Sequence, residues 1–197
     1  MFYIKENEAV PRSLFGKAKN FLESENFPWY YVGATAYTGK NAKSVETLYN
    51  GSFYHIAYDH KKNSQVSDVL EHCLLCCLDN LNIKMNNLIR IRIGMIPVCP
   101  YNFQNPPHVD FTFPHKVGLL YMNDSDGDTV IYNEKHDLDP LNDSLRYLQN
   151  TLKYNLTVKE KITPQENKFV LFDGSHYHSS STPTTVKRRI AVNYVFD

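Results

Sequence analysis

The feature that most constrains this sequence is the series of short β-prone segments that begins at residue 88. In Leu88–Met95 apolar and polar residues alternate, which is the period-two pattern of a strand with one buried face. An Asp-Gly turn at 123–128 separates two later segments. The further predicted strands lie at 117–123, 129–132, 156–162, 168–173 and 190–196. Short strands joined by turns favour a sandwich or barrel, and a closing strand at the end favours a double-sheet jelly roll.

The first 87 residues predict a different kind of structure, with helical as well as β-prone segments. The predicted elements of this region are helices at 11–24 and 67–82 and β-prone segments at 27–32 and 52–59. Ser67 is the expected N-cap of the second helix. We also expect a short helix or helical loop within 138–154. The chain is therefore predicted to be α+β but mainly β: one domain over 1–197, with a support region at 1–87 and a jelly-roll core at 88–197.

Composition limits the classes of partner. Hydrophobic residues make up 42% of the 197 residues and charged residues 21%, which is typical of a globular protein. The formal net charge is zero, whereas a protein that grips a nucleic-acid backbone usually has a basic excess. Met1–Phe15 lacks a continuous apolar stretch, and no window reaches transmembrane length. We therefore expect a cytoplasmic protein with neither a nucleic-acid nor a membrane partner.

Four cysteines are present, three of them crowded into the second predicted helix. Cys73 and Cys77 lie on its apolar stripe, and Cys76 and Cys99 complete the set. Since no suitably spaced pair of zinc ligands lies elsewhere, we interpret them as buried thiols rather than as a metal site.

One pair of residues with metal-binding side chains stands out. In an extended segment, His108 and Asp110 lie on the same side of the backbone, so both point into one space. A second pair, His176 and His178, follows the strand at 168–173, and these two residues also share one parity. Two histidines and one carboxylate on a β scaffold form the facial triad of non-haem iron oxygenases. Either His176 or His178 could complete this set.

The final strand supplies a candidate anion-binding residue. Alternation places Arg189 on one face with small or polar neighbours, and Arg188 on the other face with large apolar ones. An inward-facing arginine next to a metal requires an anion to neutralise it, and its planar fork fits a carboxylate.

Together these pieces resemble the 2-oxoglutarate- and iron(II)-dependent dioxygenases, in particular the prolyl-4-hydroxylase-like branch with its small phage and bacterial forms. The resemblance covers residues 88–197. The matching pieces are His108-Val-Asp110, the segment 117–123, the Asp-Gly turn with Thr129, Phe172-Asp-Gly174, His178 followed by Pro183, and Arg189-Ile-Ala-Val-Asn193.

The resemblance implies a role for five residues within these pieces. His108, Asp110 and His178 would bind iron(II), and Tyr121 and Arg189 would hold the C5 carboxylate of 2-oxoglutarate. Related chains have a proline four residues after the ligand histidine and a basic residue nine or ten after it. The offsets to Pro183 and Arg189 are five and eleven from His178 but seven and thirteen from His176, which favours His178. The family pattern also aligns on Arg189 rather than on Arg188.

The implied activity is hydroxylation of an unactivated C–H bond with release of succinate and CO2. Iron(II), 2-oxoglutarate and O2 would be required, and ascorbate would support turnover. The carboxylate of Asp110 favours hydroxylation, because related halogenases have a small residue there. A peptidyl proline or another amino-acid side chain is the expected target, within a peptide, protein or small-molecule substrate. The alternatives are oxidative demethylation of a nucleobase on the same core and a cupin-like metal- or ligand-binding module without turnover.

Overall fold

The architecture comes from a computed structural model that describes residues 2–5, 8–33, 51–136 and 156–197. The helix expected within 138–154 lies outside the described residues. No helix within these ranges is long and apolar enough to cross a lipid bilayer.

Within these ranges, two helices accompany two antiparallel sheets. Helix α1 spans Arg12–Glu23 and helix α2 spans Val66–Asn80. The strands are β1 (Phe2–Lys5), β2 (Tyr30–Val32), β3 (Ser52–Asp59), β4 (Leu88–Pro97), β5 (Lys116–Tyr121), β6 (Thr129–Lys135), β7 (Val158–Ile162), β8 (Phe169–Asp173), β9 (His176–Ser180) and β10 (Arg188–Phe196). The larger sheet has the order β1-β8-β5-β10-β4-β3-β2, and the smaller sheet has the order β7-β6-β9.

The smaller sheet is extended by the segment that precedes β5. Isolated antiparallel bridges join Gln104 to Ser181 and His108 to His178, so this segment runs along the free edge of β9. The backbone N–H of His108 donates to the His178 carbonyl at 2.9 Å, and the reverse bond has the same length. These bonds attach the loop at 97–107 to the jelly roll.

Both faces of the larger sheet are covered, and β10 illustrates why. Ile190, Val192 and Tyr194 belong to the core between this sheet and the two helices, whereas Ala191 packs between the two sheets. The alternation of side chains therefore separates a helix-facing core from an inter-sheet space. The expected mainly β, jelly-roll-like core is confirmed.

Two strands and one cap differ from the expectations. Strands β1 and β9 were not predicted, although each pairs along its whole length or most of it with a neighbour. The assignment of Ser67 as N-cap is wrong, because α2 already begins at Val66 and its N-cap Gln65 makes no side-chain capping bond. Ser67 instead lies buried in the first turn, where its hydroxyl cannot cap the helix.

Candidate metal centre

Three side chains with metal-binding atoms meet between the two sheets. Each of His108, Asp110 and His178 offers one ligand atom, and these atoms all lie within 4.8 Å of one another. Val109, between the first two, packs in a separate apolar cluster with Val130. The extended backbone therefore directs His108 and Asp110 to one side, as the spacing predicted.

Hydrogen bonds orient both imidazole rings in the same way. Nδ1 of His108 lies 3.3 Å from the Pro106 carbonyl oxygen, and Nδ1 of His178 lies 3.2 Å from the His176 carbonyl oxygen. A ring that donates its Nδ1–H to a carbonyl keeps the Nε2 lone pair for a metal ion. Nε2 of His178 is buried and makes no hydrogen bond with any described residue.

The electrostatics of the site favour the protonation states in which histidine and aspartate can bind a metal. Burial and the neighbouring His178 lower the pKa of His108 from 6.5 to about 4, so its imidazole is neutral at pH 7. Burial alone would raise the pKa of Asp110. His178, whose Nε2 lies 3.5 Å from Oδ2 of Asp110, and the charge of Arg90 outweigh burial and hold that pKa well below its usual value. A neutral imidazole beside an ionised carboxylate supplies donors that suit a divalent cation.

Two further residues hold the Asp110 carboxylate in place. Arg90, on β4, forms a salt bridge with Oδ1, and Nδ2 of Asn193, on β10, donates to Oδ2 at 3.1 Å. The Arg90 guanidinium also lies 4.7 Å from the ring centre of Phe111. Charged and amide donors behind a ligating carboxylate fix its orientation, as the supporting groups of metal ligands generally do.

The competing histidine, His176, has other partners. Its Nδ1 lies 2.8 Å from the Tyr132 carbonyl oxygen, and its Nε2 lies 3.2 Å from Nζ of Lys159. With only 4% of its surface exposed, it is a buried part of the smaller sheet rather than a surface residue. It does not belong to the group of three ligand atoms.

Arg189 lies in the same cavity as the histidines, with 6% of its surface exposed. Its Nε donates to the Gly127 carbonyl at 2.9 Å, and its Nη2 donates to Oγ1 of Thr129 at 2.7 Å. A Cβ atom on Gly127 would come within 2.6 Å of the Ser181 carbonyl oxygen, so this close turn requires glycine. Burial lowers the pKa of Arg189, because desolvation disfavours the charged guanidinium.

Tyr121 lies beside Arg189 but is completely buried. Its hydroxyl donates to Oγ1 of Thr129 at 2.8 Å, and the Arg189 guanidinium lies 5.5 Å from its ring centre. Arg189 and Thr129 line the cavity, whereas the Tyr121 side chain is connected to it through its hydrogen bond with Thr129. Arg188 points to the other face of the sheet, where it pairs with Glu23 of α1 at 3.1 Å.

The cavity between the sheets encloses about 80 Å³ and joins the two groups of residues. His108 and His178 lie along it together with Arg189. Its remaining walls include Ser52, Arg92, Gly94, Ile96, Leu119, Thr129, Ala191 and Asn193. The site can thus hold a cation at the His-Asp-His cluster and an anion at Arg189.

The sequence reasoning assigned no specific role to three contributors to this site. Arg90 and Asn193 bind Asp110, and Thr129 receives hydrogen bonds from both Tyr121 and Arg189. Asn193 lies on the same face of β10 as Arg189, and this shared face could have indicated that Asn193 belongs to the site. Arg90 lies on the polar face of β4, a pattern that cannot distinguish a strand facing solvent from one facing a polar cavity.

No family model matches the sequence, and no curated protein sequence is significantly similar to it. Solved structures do match over almost the whole chain. An oxidoreductase of the 2OG-Fe(II) oxygenase family from Burkholderia pseudomallei is 10% identical with a TM-score of 0.64, covering 100% of this chain and 85% of its own. The chain has the fold of these oxygenases.

Two other solved structures extend the comparison. A prolyl hydroxylase from Trichoplax adhaerens, in complex with a peptide fragment of the hypoxia inducible factor oxygen degradation domain, is 13% identical with a TM-score of 0.58, covering 99% of this chain and 82% of its own. The epimerase SnoN, in complex with Fe3+, α-ketoglutarate and nogalamycin RO, is 12% identical with a TM-score of 0.61, covering 99% and 78%. The resemblance to prolyl hydroxylases is thus confirmed at the level of the fold.

Proposed function

We propose that this chain is an iron(II)- and 2-oxoglutarate-dependent dioxygenase that hydroxylates an unactivated C–H bond. One observation carries the proposal: the two histidines of a His-Asp-His cluster line the same cavity as a buried Arg189, which forms no ion pair with a carboxylate among the described residues. Two histidines and one carboxylate leave open positions on a metal for a bidentate 2-oxo acid and dioxygen. A protein that merely stored metal would have no need for a buried guanidinium in the same cavity.

In this proposal, His108, Asp110 and His178 hold the iron. When bound, iron(II) supplies the activation of O2 coupled to the oxidative decarboxylation of 2-oxoglutarate to succinate and CO2. The chain contributes position: Arg90 and Asn193 keep the Asp110 carboxylate ionised and oriented. Ascorbate would sustain turnover by keeping the metal reduced.

Arg189 would bind the distal carboxylate of 2-oxoglutarate with help from Thr129 and Tyr121. The oxygen of Thr129 already receives hydrogen bonds from Arg189 and Tyr121. Because both of these bonds use Thr129 as the acceptor, its own hydroxyl proton is left to donate to an anion. Arg189 and Thr129 then form a pair of converging donors, and Tyr121 fixes the threonine rotamer.

A peptidyl proline or another amino-acid side chain is the substrate we favour. The peptide complex of the Trichoplax prolyl hydroxylase supports this choice, as does the zero net charge, which is unsuited to a nucleic-acid substrate. The four free cysteines fit a reducing compartment, and we place the protein in the cytoplasm.

The first experiment measures succinate formed from 2-oxoglutarate by the purified chain with iron(II), O2 and ascorbate. We expect turnover that requires iron(II), and tighter metal binding in the presence of 2-oxoglutarate. The absence of both effects would refute the proposed function.

A matched pair of variants tests the ligand assignment. We expect His178→Ala to abolish iron(II) binding, measured by equilibrium dialysis, whereas His176→Ala retains most of it. Circular dichroism checks that both variants are folded, because both histidines are buried. The reverse order of affinities would contradict the choice of His178.

A further inference from the structure

A second guanidinium lies in the cavity and takes no part in the proposed iron or cosubstrate sites. Arg92 is a partly buried residue in the middle of β4, and it lines the same cavity as His108 and His178. Its neighbour on β10 is Asn193, the residue that binds the Asp110 carboxylate. Arg92 therefore lies next to a residue that contacts one of the candidate metal ligands.

Among the residues that the structure describes, none accepts a hydrogen bond from the five N–H groups of Arg92. Its recorded contact is with a ring: the guanidinium lies 5.4 Å from the ring centre of Tyr54. The nearby carboxylate, that of Asp110, already forms a salt bridge with Arg90. No carboxylate within the described ranges forms an ion pair with Arg92. Burial and the charge of Arg90 lower the pKa of Arg92, and the opposing effect of Asp110 is smaller.

Open space adjoins this guanidinium. Gly94 is the next residue of β4 on the same face, and a Cβ atom there would meet only Nη1 of Arg92, at 4.0 Å. Gly94 pairs with Ala191 on one side and with Tyr54 on the other. Small residues thus form the floor of the cavity next to Arg92, and aromatic rings continue outward through Tyr54 to Tyr30, whose ring centres are 6.0 Å apart.

The charges of the loaded site leave a place for one more anion. In the proposed function, Arg90 balances Asp110, and Arg189 balances the distal carboxylate of 2-oxoglutarate. The 1-carboxylate offsets only part of the charge of a divalent iron. The positive charge of Arg92 therefore adds to a remaining positive excess in a partly dehydrated cavity, where such a charge needs a counterion.

We propose that Arg92 binds a carboxylate of the primary substrate, so that the chain acts on a carboxylic acid such as an amino acid or an acidic peptide. The proposal rests on the proposed function and specifies its substrate class. The planar fork of arginine matches a carboxylate through two parallel hydrogen bonds. A single unpaired guanidinium suits a monoanion better than a doubly charged phosphate. The rest of the substrate would lie over Gly94 and against Tyr54.

The test uses the full chain loaded with Mn2+ and 2-oxoglutarate without oxygen, and two probes of equal size. Acetate carries the carboxylate, and acetamide is its neutral counterpart. Binding of either probe near the paramagnetic ion accelerates the relaxation of its methyl protons. We expect enhanced relaxation for acetate and little for acetamide. Because hydrogen bonds to charged groups are strong, Arg92→Gln should weaken acetate binding at least tenfold.

Two further variants serve as controls. Arg92→Lys keeps the charge but loses the fork, so we expect intermediate acetate binding. Arg188→Gln removes an exposed guanidinium on the opposite face and should behave like the unmodified chain. An unchanged dissociation constant for 2-oxoglutarate in Arg92→Gln would show that the cosubstrate site is intact.

The outcomes separate this inference from the proposed function. If 2-oxoglutarate fails to bind the Mn2+-loaded chain, the proposed function is wrong and the Arg92 inference falls with it. If 2-oxoglutarate binds but acetate relaxation is absent, equal to that of acetamide, or unchanged in Arg92→Gln, the Arg92 inference alone is overturned.

Discussion

Arg90 offers the sharpest test of how the candidate metal centre is built. Its salt bridge with Asp110 joins two side chains that are only 18% and 9% exposed. Removal of one partner from a buried pair leaves an uncompensated charge, which typically costs 3–5 kcal/mol. Because Asn193 still donates to Asp110, we expect Arg90→Met to cost about 3 kcal/mol in the metal-free chain.

The assay is thermal unfolding with and without a divalent cation. For a chain of this size, a loss of about 3 kcal/mol lowers Tm by roughly 6–12 °C. A cation bound by Asp110 replaces the missing positive charge. We therefore expect the cost of Arg90→Met to fall to about 1.5 kcal/mol at saturating Mn2+, close to the value of one hydrogen bond to a charged group.

Two controls make this reasoning refutable. Arg188→Met breaks a pair that is 44% and 40% exposed, so its effect should stay below about 1 kcal/mol and should not depend on metal. In an Asp110→Asn background, Arg90→Met should cost little, because the carboxylate charge is already gone. An equal loss of stability with and without Mn2+, or a full loss in the Asp110→Asn background, would show that Arg90 acts through packing on Phe111 instead.

Three further predictions concern cosubstrate, acid and thiols. Arg189→Gln should raise the dissociation constant of 2-oxoglutarate by about 100-fold, measured by calorimetry, because two hydrogen bonds to a charged group are lost, whereas Arg188→Gln should not. The buried His108, with a pKa lowered from 6.5 to about 4, stays neutral when folded. Its contribution to metal-free stability is therefore full above pH 6.5 and lost as the pH falls toward 4, and urea midpoints should fall less steeply in His108→Gln. Burial raises the pKa of Cys73 to about 12 and that of Cys77 further, so iodoacetamide should label neither until the chain unfolds, as mass spectrometry can determine. Equal 2-oxoglutarate affinities of the two arginine variants would contradict the first prediction. Urea midpoints that fall equally steeply with pH in His108→Gln and in the unmodified chain would contradict the second. Rapid labelling of Cys73 or Cys77 in the folded chain would contradict the third.

The core strands could be predicted from sequence because side chains of different polarity alternate along them. In β4 buried residues alternate with partly buried ones from Leu88 to Gly94, so the period-two pattern is strong. In β10 every second residue from Ile190 to Phe196 enters the helix-facing core. Strand β9 lacks this signal. Its residues His176–Ser180 are polar or aromatic: a hydrogen bond holds the His176 ring, and only Tyr177 packs in an apolar cluster. Strand β1 has only four residues at the edge of the sheet, too few for a period to appear.

The candidate site was predictable where a motif fixed both residue type and spacing. The structure brings His108, Asp110 and His178 together and places Arg189 in their cavity, although their roles as ligands stay predictions. The arginines of β4 were not assignable, because alternation reports which residues share a face and not what covers that face. Only the pairing of β4 with β10 places Arg90 and Arg92 beside the ligands.

The bridge between His108 and His178 also constrains how a bound ion could leave. The two residues exchange backbone hydrogen bonds, so both rings are anchored to one short piece of ladder. Separation of the 104–108 segment from β9 would move one ligand away from the others while the rest of the jelly roll stays folded. If the proposed ligands bind a metal, its release would accompany this local opening, and the bound ion would add a third connection across the bridge. Amide hydrogen exchange at His108 and His178 should therefore slow as metal occupancy rises, independently of global unfolding.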